Sequence, residues 1–167
     1  REDLAMMVMS ATLDAEPVAT YLDNCPILIS EGQSFPVEVG YLSQPDSRSI
    51  TAQAAGAVER VINDGAPGDI LVFMPGRGEI NGTLDALRGL KTSERVACIP
   101  LHGELEPQEQ DRAFAPNALR KVIVATNVAE TSLTVPGIRY VVDPGTARIS
   151  RYSARPKVQR LPIEAIS

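Results

Sequence analysis

The sequence predicts an α/β fold, a parallel sheet with helices on both faces. Three observations carry that expectation. Short β-branched runs alternate with stretches of helical period. The strongest runs, Ile70-Leu71-Val72-Phe73-Met74 and Val122-Ile123-Val124-Ala125, are continuously apolar, as in strands buried on both sides. The 167 residues are 44% hydrophobic and 22% charged, the balance of one soluble globular domain.

The elements follow in order. Strands are expected near 5–9, 26–29, 37–42, 69–74, 95–101, 121–125 and 138–142, where aliphatic residues cluster between turn residues. Helices are expected over 15–22, 49–63, 79–90 and 107–114. In the second, Ala52, Ala55, Val58 and Ile62 fall on one face; in the third, Ile80, Leu84 and Leu87 do. Pro107 suits a first helical turn after Glu106. Near the C-terminus, residues 147–162 read as strand, turn, strand, a hairpin loaded with arginine. On composition alone that is a solvated edge protected by charge.

Composition excludes several function classes. No apolar run approaches the roughly 18 residues needed to cross a bilayer, and no basic-then-apolar leader opens the chain. The expectation is a cytoplasmic protein away from membranes. Cys25 and Cys98 stand apart beside apolar runs and are expected to be buried and reduced. With His102 as the one histidine, no zinc site of the Cys/His type can be built. His102 also has no Ser or Cys partner at triad spacing, so it is expected to be a hydrogen-bonded loop residue. Net charge is −5. Residues 1–143 hold 11 basic and 20 acidic residues; residues 144–167 hold five basic residues and Glu164. The C-terminal stretch is therefore a positive site on an acidic body.

Four segments carry candidate chemistry. Ala125-Thr126-Asn127-Val128-Ala129-Glu130-Thr131-Ser132-Leu133-Thr134 follows a buried-type strand, at the sheet end where ligands bind in open α/β folds. Its hydroxyls and amide suit phosphate oxygens, although Asn127 and Glu130 also fit a capping box. Ser10-Ala11-Thr12 closes an apolar run and could relay hydrogen bonds. Gly76-Arg77-Gly78-Glu79 is a strand-to-helix turn in which Arg77 could meet phosphate and Glu79 could complement the helix dipole. Phe114 ends a polar helix, either as core or as a stacking platform. No GxxxxGK[ST] phosphate loop is present.

In order along the chain, Met9-Ser10-Ala11-Thr12-Leu13-Asp14, Ile70–Met74 with Gly76 and Glu79-Ile80, Leu101-His102-Gly103 through Gln110-Asp111-Arg112-Ala113-Phe114, Ala125–Thr134, and Val141-Val142-Asp143-Pro144-Gly145 closely resemble DEAH-box RNA helicases of superfamily 2. The match covers motifs III, IV, IVa and V, and the tail from Arg148 looks most like the bacterial HrpA type. The resemblance implies a RecA-like, P-loop NTPase-type three-layer sheet with a protruding β-hairpin. Residues 1–14 would be the last strand of a first RecA-like domain. Residues 15–167 would be most of the second, ending before motif VI. The phosphate loop, the Asp-Glu-Ala-His box and the arginine finger would lie outside this stretch, so the 167 residues alone are expected to be inactive, with no catalytic or metal-binding residue of their own.

The resemblance also implies roles. ATP and Mg²⁺ would be shared with the first domain and held weakly by this stretch. Phe114 would stack on adenine, and Thr134 would lie towards the nucleotide. Ser10 and Thr12 would couple hydrolysis to domain movement. Gly76, Arg77, Thr126 and Asn127 would contact single-stranded RNA (or DNA), with Thr131 and Ser132 supporting that loop and Arg148, Arg151 and Arg155 extending the track. Pro136 departs from the pattern, standing where many relatives carry Asp near the ribose. The expected activity is ATP-driven translocation on RNA and its unwinding, with the rest of the same chain as partner; the 167-residue stretch is expected to be monomeric. The alternative is a stand-alone α/β module that binds nucleotide or protein without catalysis. Cognate nucleotide should raise the melting temperature of such a module.

Overall fold

The computed structural model describes residues 6–9, 14–29, 36–42, 46–126, 134–148, 151–153, 158–160 and 163–165, the segments from 147 onward by backbone alone. The chain forms two units, Arg1–Tyr41 and Leu42–Ser167.

In the first unit, helix α1 (Ala15–Tyr21) starts at Asp14, whose carboxylate accepts from the Glu16 amide at 3.3 Å. It ends where Asp23 and Asn24 take left-handed backbone conformations. The strands expected at 5–9, 26–29 and 37–42 do not form over the described residues. Met6–Met9, Ile27–Ile29 and Val37, Val39, Tyr41 and Leu42 are all exposed, Met9 by 82%. The physical reason is that a strand is not a local object. Its backbone groups need a neighbouring ladder, and an apolar run without one stays extended and unpaired.

The second unit is the expected sheet. Strands β1 (Asp69–Phe73), β2 (Val96–Leu101), β3 (Arg120–Ala125) and β4 (Ile138–Val142) run parallel in the order β2-β3-β1-β4. The central strands alternate between two cores. Ile70, Val72, Val122 and Val124 face helices α2 (Ile50–Asn63) and α3 (Arg77–Arg88). Leu71, Ile99, Leu101, Ile123 and Ala125 face the other way, onto Ala113 of α4 (Pro107–Phe114). Both faces are thus covered, as a parallel sheet requires.

The helix ends have local causes. The Ser49 hydroxyl accepts from the Ala52 amide at the start of α2. The buried stripe of α2 is Ala54, Ala55, Val58 and Ile62; Ala54, not the expected Ala52, completes it. Helix α3 starts two residues before the expected Glu79, because extended Gly76 takes the N-cap and lets the turn begin at Arg77. Glu79 still falls in its first turn. Pro107 opens α4 as expected.

The C-terminal hairpin is longer than the expected 147–162. Strand β5 (Thr146–Arg148) pairs antiparallel with β8 (Ile163–Ala165), and β6 (Arg151–Ser153) with β7 (Val158–Arg160). The two ladders share one register: Thr146 stands opposite Ala165 and Arg148 opposite Ile163, and Arg151 stands opposite Arg160 and Ser153 opposite Val158. The apolar tail at 163–165 thus finds its partner in the strand that opens the arm.

Candidate functional site

The sheet brings three strand exits to one edge. The Met74 amide donates to the Ala125 carbonyl at 2.7 Å, and the Thr126 amide to the Leu101 carbonyl at 3.2 Å. The turn at Met74–Gly76, the Leu101–Gly103 exit and Thr126 therefore lie together at the carboxyl ends of β1, β2 and β3. Ligands of open α/β sheets bind at that edge. Arg77, 65% exposed at its side chain, reaches across it to Glu104, with Nη1 3.1 Å from Oε2. An exposed pair of this kind contributes little to stability, so the guanidinium is available to a competing anion.

His102 sits at the same edge, 8% exposed. Its Nδ1 has no hydrogen-bond partner, which corrects the expectation of a hydrogen-bonded loop histidine. The side chain is held by burial at the end of β2 rather than by a polar contact at that nitrogen.

Phe114 lies at the opposite edge. Helix α4 runs back from the strand exits and ends beside the start of β3, where Lys121 Nζ donates to the carbonyls of Ala113 (2.9 Å) and Ala115 (3.3 Å). The Phe114 ring is half-buried against the Leu71–Ile123 core and half-open. Thr134 is exposed, one residue before Val135, which is buried in that same core. The two expected nucleotide residues thus border one cluster. Gly76, Arg77 and Thr126 form a separate group at the far edge.

Of the other expected site residues, Arg148 and Arg151 lie on β5 and β6 of the hairpin. Ser10, Thr12, Asn127, Thr131, Ser132 and Arg155 lie outside the described residues, as does most of the hairpin turn.

Sequence reasoning passed over Lys121 and Asp69. Lys121 is 5% exposed and is the second residue of β3. Asp69 Oδ1 accepts from the Lys121 amide at 2.8 Å, and Oδ2 stands 3.5 Å from Nζ. The available signal was a lysine directly before the apolar run Val122–Ala125 of a buried strand, since a buried charge must be paired. Next to it, Arg120 Nε donates to the Gly68 carbonyl at 2.6 Å, and the guanidinium lies over the Tyr140 ring at 5.3 Å.

Burial pushes the Cys98 thiol up, and Arg88 opposes it weakly. Hydrogen bonds from Arg48 hold the Asp46 carboxyl below its ordinary range. Both cysteines are free thiols and half-buried rather than fully buried. Among the described residues no group of three His, Cys, Asp or Glu side chains gathers to hold a metal, and no helix is long and apolar enough to cross a membrane.

Residues 53–159 match the model of the helicase conserved C-terminal domain. The chain is 48% identical to an ATP-dependent RNA helicase HrpA homolog of Haemophilus influenzae, matching over 100% of its own length and 13% of that protein's. It is 47% identical to Escherichia coli ATP-dependent RNA helicase HrpA over the same shares. The crystal structure of the E. coli DExH-box NTPase HrpB superposes with a TM-score of 0.84 at 40% identity, across 100% of this chain and 21% of that one. The fold is that of RecA-like helicase domains. The chain spans between about an eighth and a fifth of the length of these relatives.

Proposed function

Because the chain belongs to the helicase conserved C-terminal domain family, we propose that it supplies the second RecA-like domain of an ATP-dependent RNA helicase. Residues 1–14 would close the first domain. The reading is supported by one observation above others. A chain that matches ATP-dependent RNA helicases along its whole length folds so that Gly76, Arg77 and Thr126 share the strand-exit edge of the sheet.

At that edge, Arg77 and the Thr126 hydroxyl would hold backbone phosphates of single-stranded RNA. Asn127, Thr131 and Ser132 would continue the loop. Phosphate contacts need no base identity, which suits an enzyme that moves along any sequence. The arm carrying Arg148, Arg151 and Arg155 would extend the track. Register places Arg151 directly opposite Arg160. Like charges so placed weaken a free hairpin and are relieved by a polyanion.

At the other edge, the half-open ring of Phe114 offers a face for adenine, and exposed Thr134 borders the same cluster. Ser10 and Thr12 would transmit the nucleotide state between domains. Mg²⁺, bound through the nucleotide and the first domain, would neutralise charge on the phosphates. This chain's residues would bind and orient adenosine and grip RNA. By itself the 167-residue chain should hydrolyse no ATP. The protein would be cytoplasmic, and the 167-residue chain would be monomeric.

RNA affinity tests the reading. In the intact protein, Arg148→Glu, Arg151→Glu and Arg155→Glu together should flatten the dependence of log affinity on log salt by about 2, at roughly 0.7 per phosphate contact. An unchanged slope would remove the hairpin from the track.

A further inference from the structure

Lys121 is the buried charge that the proposed mechanism leaves without a task. Its ammonium donates to the carbonyls of Ala113 and Ala115, the two residues flanking Phe114. The last carbonyls of a helix lack intrahelical partners, and a cation there also suits the helix dipole. One side chain from the central strand therefore caps α4 and pins the backbone on both sides of the ring. Asp69 holds that cation in turn, through Oδ2 to Nζ and Oδ1 to the Lys121 amide.

Asp69 also reaches the other nucleotide-side segment. Its amide donates to the Gly137 carbonyl at 3.0 Å. Gly137 has φ +85°, and a Cβ there would stand 3.0 Å from Asp69 Oδ2. The same pair thus ties the stretch holding Thr134 to the stretch holding Phe114. Stability alone does not call for this arrangement, since buried ion pairs are commonly replaced by apolar side chains without loss. What a well-packed Met could not do is bind two carbonyls around a half-buried aromatic ring.

We propose that Lys121, oriented by Asp69, is a positioning residue for the nucleotide: it fixes the pose in which the Phe114 ring meets the base. This rests on the reading of Phe114 as the adenine platform. In the intact protein, Lys121→Met keeps the aliphatic stem and removes the donors. It should raise KM for ATP about fivefold, the low end of what a base–aromatic stack contributes, with kcat at saturating ATP unchanged. The inhibition constant of ribose 5-triphosphate, which has no base, should stay the same. Phe114→Ala should give the same pattern, and the double variant should be no worse than Phe114→Ala alone. Lys121→Arg should recover most of the loss.

If Phe114→Ala raises KM and Lys121→Met does not, the positioning role is wrong while the platform reading stands. If Phe114→Ala has no effect, the platform reading falls and takes this inference with it. Equal loss for ATP and ribose 5-triphosphate would mark general damage and also overturn it. Should Lys121→Met fail to fold, Asp69→Asn is judged by the same criteria. It strips the ion pair yet leaves an oxygen for the Lys121 amide, and about a twofold shift is expected.

Discussion

Replacing Phe114 with leucine separates packing from stacking. The ring is half-buried against the core formed by Leu71, Ile99, Leu101, Ala113, Ile123, Ala125 and Val135. Leucine fills most of the covered half, so the stability cost should stay below about 1.5 kcal/mol. The open half is what adenine would use. Losing a base–aromatic stack costs about 1–3 kcal/mol, which is roughly 5- to 150-fold in affinity. Leucine still offers an apolar surface, so the lower part of that range is expected, about 5- to 30-fold. The assay is RNA-stimulated ATP hydrolysis by the intact protein, read as KM, beside a thermal melt. A raised KM with a nearly unchanged melt supports the platform. A melt lowered by many degrees with KM unchanged would show that Phe114 is core and would refute the reasoning.

Three further outcomes are expected. Ile123 is fully buried in the central strand, so Ile123→Ala should cost about 3 kcal/mol in urea unfolding; a loss below 1 kcal/mol, on the order of a surface change, would contradict the core described. Gly137→Ala should cost about 1–2 kcal/mol for the left-handed backbone alone, and its Cβ should also push the Asp69 carboxylate from Lys121; unchanged unfolding and unchanged ATP KM would contradict both effects. Because burial raises the Cys98 thiol, less thiolate is present at neutral pH. Cys98 should react with a disulfide reagent more slowly than glutathione at pH 8, its rate still climbing as pH rises further; a rate equal to glutathione's would contradict the burial.

Much of the sheet could be read from sequence because its central strands announce themselves. Val122–Ala125 and Ile70–Phe73 are apolar on both faces, and no helix or exposed strand needs that pattern. The helices were legible through their stripes, with errors of a residue or two where Gly76 and Ala54 settled the phase. Met6–Met9, Ile27–Ile29 and Val37–Leu42 misled for the complementary reason: apolar content marks a segment that wants a sheet, and says nothing about which ladder receives it. The candidate site was legible in residue types at strand exits, since Gly76 and Arg77 follow β1 and Thr126 follows β3. At the Phe114 edge, Phe114 and Thr134 were named from the resemblance, but the Asp69–Lys121 pair behind the ring was not legible. The link from Asp69 to Lys121 joins residues 52 positions apart, and parallel register alone makes them neighbours.

The central claim is that adenine rests on Phe114 while RNA crosses the opposite, strand-exit edge. Photolabelling of the intact protein with 8-azido-ATP, followed by peptide mapping, tests it most directly. The account predicts a label within residues 112–121 or 134–137, suppressed by excess ATP and undiminished by RNA. A label confined to the strand-exit loops at 74–78 and 102–106 would contradict it.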